Sequence, residues 1–120
     1  MEIRLKRAYD PPSPSDGYRV LVDRLWPRGV KKEALELDEW CKEIAPSTEL
    51  RRRFHHDPEK FEEFTREYTG ELAASDEPRK LLERAGNQQR ITLVYGAKDT
   101  EHNQAVVLKA YLETLLKRGK

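Results

Sequence analysis

The sequence contains one cysteine, Cys41, and no cluster of Cys and His at zinc-ligand spacing. One thiol cannot close an internal disulfide, and this usage points to a reducing cytoplasm without a structural metal. No apolar run reaches the length of a signal-peptide core or a membrane span, which argues against both. An excess of charge of one sign is also missing: 23 Lys and Arg stand against 22 Asp and Glu, a net charge of +1. Proteins that coat nucleic acid or an anionic membrane rest on a large positive excess, so any anion binding by this chain must be local. There is no Walker-type loop, no GxGxxG, no GxSxG and no HExxH. The familiar nucleotide, dinucleotide, hydrolase and zinc-protease readings therefore lose their sequence support, and no cofactor is called for. Internal repeats are absent, and only Pro11 to Gly17 reads as a loop of any length.

What is present suits one small domain. At 120 residues, with 37% hydrophobic and 38% charged, the chain builds a single compact core under a densely charged surface. Ile3 and Leu5 alternate with polar neighbours as a first strand would, and the prolines that follow stop its pairing. Tyr18 to Leu25 is predicted as a second strand, with Val20, Leu21 and Val22 covered on both faces. Between Leu35 and Ala45 the pattern is read as an irregular strand. Ser47 then caps a helix over Thr48 to Phe54, and Asp57-Pro58-Glu59 starts another carrying Phe61, Phe64, Tyr68 and Leu72 on one face. Asp76 and Pro78 open a third helix, closed by Gly86. Ile91 to Ala97 is a buried strand, with Gly96 where a backbone or a ligand comes close, and a last helix is predicted from about Glu101 to Lys117. The expected fold is a single α/β domain over residues 1–120, with three or four mostly parallel strands and helices packed on the sheet.

The stretch Val20 to Gly29 (VLVDRLWPRG) organises the functional reading. A buried strand here ends in Asp23, Arg24, Trp26, Pro27 and Arg28 rather than in a neutral polar turn. Open α/β sheets bind ligands outside the carboxyl ends of their strands, where helix N-termini and arginines meet anions. On that logic Arg24, Arg28, Ser47, Arg51 and Lys98 are candidate anion-binding groups. Asp23, His56 and Asp99 are candidate acid/base groups, and Arg7, Tyr9, Trp26 and Tyr95 candidate lining residues. Each has a plainer role beside it. Asp23 and Arg24 can pair structurally, Ser47 can be only a cap, Asp99 can cap the last helix, and the tryptophans can be core or rim. His55 and His56 are adjacent, so their side chains do not converge on one metal, and no metal site is expected.

These residues also carry a resemblance. Arg7 with Tyr9-Asp10, Asp16 to Arg19, Val20 to Gly29, Asp38 with Trp40, Ala45-Pro46-Ser47, Leu50-Arg51, His56-Asp57, Glu71-Leu72, and Leu93 to Asp99 together resemble the domain of unknown function 488 family, the YeaO-like proteins of bacteria and archaea. The resemblance covers nearly the full length and implies a stand-alone cytoplasmic α/β domain, with no established substrate to carry over. It leaves catalysis and binding both open. The first reading is a small phosphate- or nucleotide-like molecule held by the arginines. The second is a nucleic-acid or regulatory-partner module using Arg51 to Arg53 and Lys31-Lys32, against which the balanced charge counts. No membrane partner is expected, and nothing in the sequence specifies an oligomeric state.

Overall fold

The structure, a computed structural model, describes residues 1–118. Four strands, β1 (Glu2–Arg7), β2 (Tyr18–Leu21), β3 (Glu39–Trp40) and β4 (Arg90–Tyr95), form one sheet in the order β1-β4-β2-β3. Every pairing is parallel: Ile3 and Tyr18 both oppose Ile91, and Leu21 opposes Val94 on one side and Trp40 on the other. The alternation of side chains divides the sheet into two unequal faces. Val20, Val22, Ile91, Leu93 and Tyr95 face the main core. There they meet α2 (Thr48–Phe54), α3 (Phe61–Ala73), α4 (Glu77–Ala85) and α5 (Gln104–Arg118). Leu21 and Val94 face the other way, onto a small cluster with Ala8, Leu35, Trp26 and Trp40. That face is covered by loops and by α1 (Lys32–Leu35), one turn long.

The predicted α/β class, the parallel sheet and the helix faces agree with the structure. Phe64, Tyr68 and Leu72 line the buried side of α3, and Ser47 accepts a capping bond from the Leu50 amide at 3.2 Å. Three boundaries differ by more than two residues, while the strand expected over Ile91 to Ala97 spans Arg90–Tyr95. The second strand ends at Leu21 instead of Leu25, with one further ladder bond from the Val22 amide to the Val94 carbonyl at 3.0 Å, because Asp23 turns away to bond elsewhere. The irregular strand reaching Ala45 is replaced by the two residues of β3 and a 3₁₀ turn over Lys42–Ile44. The last helix begins at Gln104 rather than near Glu101. Asp99 draws the Glu101 and His102 amides into its own turn at 2.9 Å each, and Asn103 caps the Val106 amide at 3.1 Å.

The thin face of the sheet holds a buried ion pair. Asp16, at the end of the 3₁₀ turn over Pro14–Asp16, contacts the Arg19 guanidinium at 2.6 Å and the Lys6 ammonium at 3.0 Å, and it accepts from the Ser13 amide at 2.9 Å. Arg19 itself is 4% exposed, and two further N–H groups reach the Leu35 carbonyl at 3.0 and 2.7 Å. Burial pushes the Asp16 carboxyl up, but the Ser13 amide, Lys6 and Arg19 outweigh it and hold its pKa below the ordinary 3.8. Gly17 follows at φ +68, with no room for a side chain against the Arg90 carbonyl. Removing one partner of a buried pair costs on the order of 3–5 kcal/mol, because the other charge stays behind unmatched. Asp16→Ala is therefore expected to lower stability in urea at neutral pH by about 3 kcal/mol. The native contribution is present above the unfolded carboxyl value and is lost as pH falls through the lower folded one, a dependence the variant lacks.

Candidate functional site

Where β2 and β4 end, the surface opens into a cleft of about 680 Å³. The strand order places β4 between β1 and β2, while the chain runs from β2 outward to β3 before returning, so the connections diverge here. Such a divergence leaves a crevice outside the carboxyl ends of the strands. The Asp23 carboxylate forms its inner wall. One oxygen accepts the Gly96 amide of β4's exit at 2.8 Å, and the other accepts the side-chain amide of Gln104 in the first turn of α5. Gly96 allows a close approach, since a methyl group there would lie 3.0 Å from the nearer oxygen and push it aside by a few tenths of an ångström. Burial raises the Asp23 pKa to about 6, opposed by the Gly96 amide, by Gln104 and by the charge of Arg51.

Four arginines line the same cleft as this carboxylate. Arg24 is half-buried and donates to the Pro46 and Ala45 carbonyls at 3.3 Å each. Arg51, half-buried on α2, lines the same cleft, and Arg28 and Arg52 are exposed at its rim. None of the four forms an ion pair among the described residues, whereas Arg4, Arg19, Arg53, Arg84 and Arg90 all do. The loop carrying Arg28 is held in shape by its aromatics. The Trp26 indole donates to the Val30 carbonyl at 2.7 Å, Tyr9 donates to the Arg28 carbonyl at 3.0 Å, and the Trp40 indole donates to the Asp23 carbonyl at 2.8 Å. Trp26 and Trp40 meet edge to face with centroids 5.2 Å apart. Across the cleft, Phe54 and Phe64 stack at 4.3 Å. His55 and His56 follow α2 with φ of +45 and +56, a left-handed pair that costs on the order of 1 kcal/mol per residue. Both residues are exposed and border the cleft.

The candidate residues are thus divided. Asp23, Arg24, Arg28, Arg51, His56, Tyr9 and Trp26 line one cleft. Ser47 stands outside it: its amide and hydroxyl donate to the two oxygens of Glu71 at 2.9 and 2.6 Å, so an internal carboxylate already occupies the start of α2. Lys98 is exposed beyond the cleft lining. Asp99 contacts the His102 imidazole at 2.9 Å, and its pKa is held down by the Glu101 and His102 amides. Arg7 backs the wall from behind, donating to the Ala97 carbonyl at 2.9 Å with its guanidinium 5.0 Å from the centre of the Tyr9 ring. Tyr95 is buried in the main core. Sequence reasoning missed Gln104, Arg52 and the Phe54–Phe64 wall. Gln104 was legible only through Asn103, a good N-cap that moves the helix start next to it.

Residues 2–120 match the family described as the inactive DUF488-N3 subclade. The chain is 51% identical over 115 residues to the uncharacterized protein YeaO of Escherichia coli (strain K12), covering 96% of this chain and 100% of that protein. It is 42% identical over 113 residues to the uncharacterized proteins Mb3100c of Mycobacterium bovis and Rv3073c of Mycobacterium tuberculosis, covering 92% of this chain and 92% of each relative. No solved structure matches significantly. Among the described residues no helix is long and apolar enough to cross a membrane.

The raised Asp23 pKa has a consequence for stability. The folded chain takes up this proton near pH 6, the unfolded chain near 3.8, so folding binds a proton between these values. Stability from this group is therefore full below the unfolded value and is lost as pH rises through about 6. Asp23→Asn keeps an acceptor for the Gly96 amide, offers its NH2 to the carbonyl oxygen of a flipped Gln104 side chain, and removes the buried charge. At pH 7.5 it is expected to stabilise the fold by about 1–2 kcal/mol, reduced from the full linkage value because the group borders an open cleft. At pH 4 the gain should vanish, and parallel urea titrations at the two pH values measure the difference.

Proposed function

Because the chain belongs to the DUF488 family, and to its subclade described as inactive, we propose that it is a binding protein that holds a small phosphate-like anion against Arg24, Arg28 and Arg51. The observation that carries this reading is the set of guanidiniums around one cleft without carboxylate partners among the described residues, in a chain whose total charge is nearly balanced. Clustered arginines repel one another, and an arriving anion relieves that repulsion while accepting paired N–H bonds from each planar fork. Binding is favoured over catalysis by the word inactive in the family's description and by the lining itself. Among the described residues no Ser, Thr, Cys or Lys borders the cleft to serve as a nucleophile. Cys41 is buried elsewhere, with its thiol pushed up to about 12 by burial and by the charge of Glu39. Asp23, the residue nearest to a general acid in character, already accepts from Gly96 and Gln104.

A nucleic-acid module would draw on Arg51 to Arg53 as a continuous basic face. Arg53 is engaged by Glu67 at 2.8 Å, which takes one cation out of that face and favours the enclosed site.

Calorimetric titration with phosphate, pyrophosphate and nucleoside monophosphates at low ionic strength tests the proposal. Binding is expected, weakened about tenfold by Arg51→Gln and by Arg28→Ala, as suits the loss of one charge-assisted contact. Ser47→Ala should lower stability by about 1–2 kcal/mol through the lost cap and leave binding intact. Absence of heat with every anion, or equal affinity in the arginine variants, would refute the site.

A further inference from the structure

We infer that the anion taken by this cleft is joined to a flat nitrogen heterocycle whose edge donates hydrogen bonds, a nucleotide-type phosphate, and that Asp23 and Gln104 read that edge. The inference rests on the arginine site proposed above and adds a body to its anion.

Size is the first argument. The cleft measures about 680 Å³, within the range of sites that enclose whole small molecules and far more than a bare phosphate fills. The second is the distribution of surface with depth. Arg28 and Arg52 are exposed at the mouth, Arg24 and Arg51 lie half-buried behind them, and Phe54 and Phe64 are 5% and 2% exposed. An inorganic anion held at the mouth leaves the half-exposed Trp26 and the exposed Leu25 of the cleft lining uncovered. A ligand with a flat apolar body fills the space and gains the contact that aromatic surfaces offer to rings.

The third argument separates a heterocycle from an apolar chain of the same size. Asp23 uses one lone pair of each oxygen on the Gly96 and Gln104 amides, and a carboxylate has about four acceptor positions. The carbonyl oxygen of the Gln104 side chain accepts no bond among the described residues. Two adjacent acceptors with capacity to spare therefore belong to residues that line the cleft. An aliphatic body would desolvate them without replacement, an expensive mismatch. A ring edge with neighbouring N–H groups, as in a guanine, supplies in-plane donors to both. Gln104 is then a specificity residue and the arginines supply affinity.

The experiment compares guanosine 5′-monophosphate, ribose 5-phosphate and inorganic phosphate by calorimetry on the unmodified chain, followed by Gln104→Leu. The nucleotide is expected to bind at least about tenfold tighter than ribose 5-phosphate, and Gln104→Leu to remove most of that advantage. If ribose 5-phosphate binds as tightly as the nucleotide, and both depend on Arg51, the heterocycle inference is overturned and the arginine site stands. If none of the three binds, both fail. The ligand comparison decides without the variant should Gln104→Leu fold poorly.

Discussion

The Asp23 carboxylate joins three elements that meet nowhere else in this way: the exit of β2, the exit of β4 through the Gly96 amide, and the first turn of α5 through Gln104. Parallel strands end without a hairpin to bind them, so their exits diverge unless a side chain spans the gap. Here one charged group does so, and the Trp40 indole holds its backbone carbonyl from the side of β3. The cost is a desolvated carboxylate, visible as a pKa raised to about 6. The inner wall of the cleft is built on this junction.

Electrostatic pairing elsewhere in the molecule makes the cleft distinctive. Glu71 satisfies the start of α2, Glu39 takes Arg84, Glu2 takes Arg4 and Arg90, and Asp16 takes Arg19 and Lys6. The surface pairs among these contribute little individually, and the buried Asp16 pair serves the fold. Arg24, Arg28, Arg51 and Arg52, by contrast, line one cleft and form no salt bridge among the described residues. A nearly neutral protein can in this way present a strongly cationic site, because the field in a cleft is set by the nearest unpaired charges and not by the total.

Particular residues show how far the sequence could be read. The β-branched run Ile91 to Val94 and the helical spacing of Phe64, Tyr68 and Leu72 are local patterns imposed by burial on one face, and they gave the α/β class and the helices directly. Asp23, Arg24 and Arg28 were legible because charge at the end of an apolar strand is anomalous. Ser47 was misleading as a ligand group. Capping and anion binding ask for the same residue at the same place, and only Glu71, distant in sequence, decides between them. The β2 boundary was set too late because Leu25 looks like a buried strand residue, although it is 64% exposed on the loop.

The sequence by itself determined the class of fold, the single domain, the polarity of the strand ends and the arginine-rich character of the segment after Val22, because each is written in residues adjacent along the chain. The tertiary structure alone decided which of the charged groups share a cleft. Arg24 and Arg51 come together across the Ala45-Pro46 turn, Gln104 reaches Asp23 across 81 positions, and Lys98 and Asp99 turn elsewhere. Such juxtapositions follow from strand order and from where α5 begins. Both are settled by how the helices cover the sheet and by side chains distant in sequence competing for the same amides, quantities that no local pattern encodes.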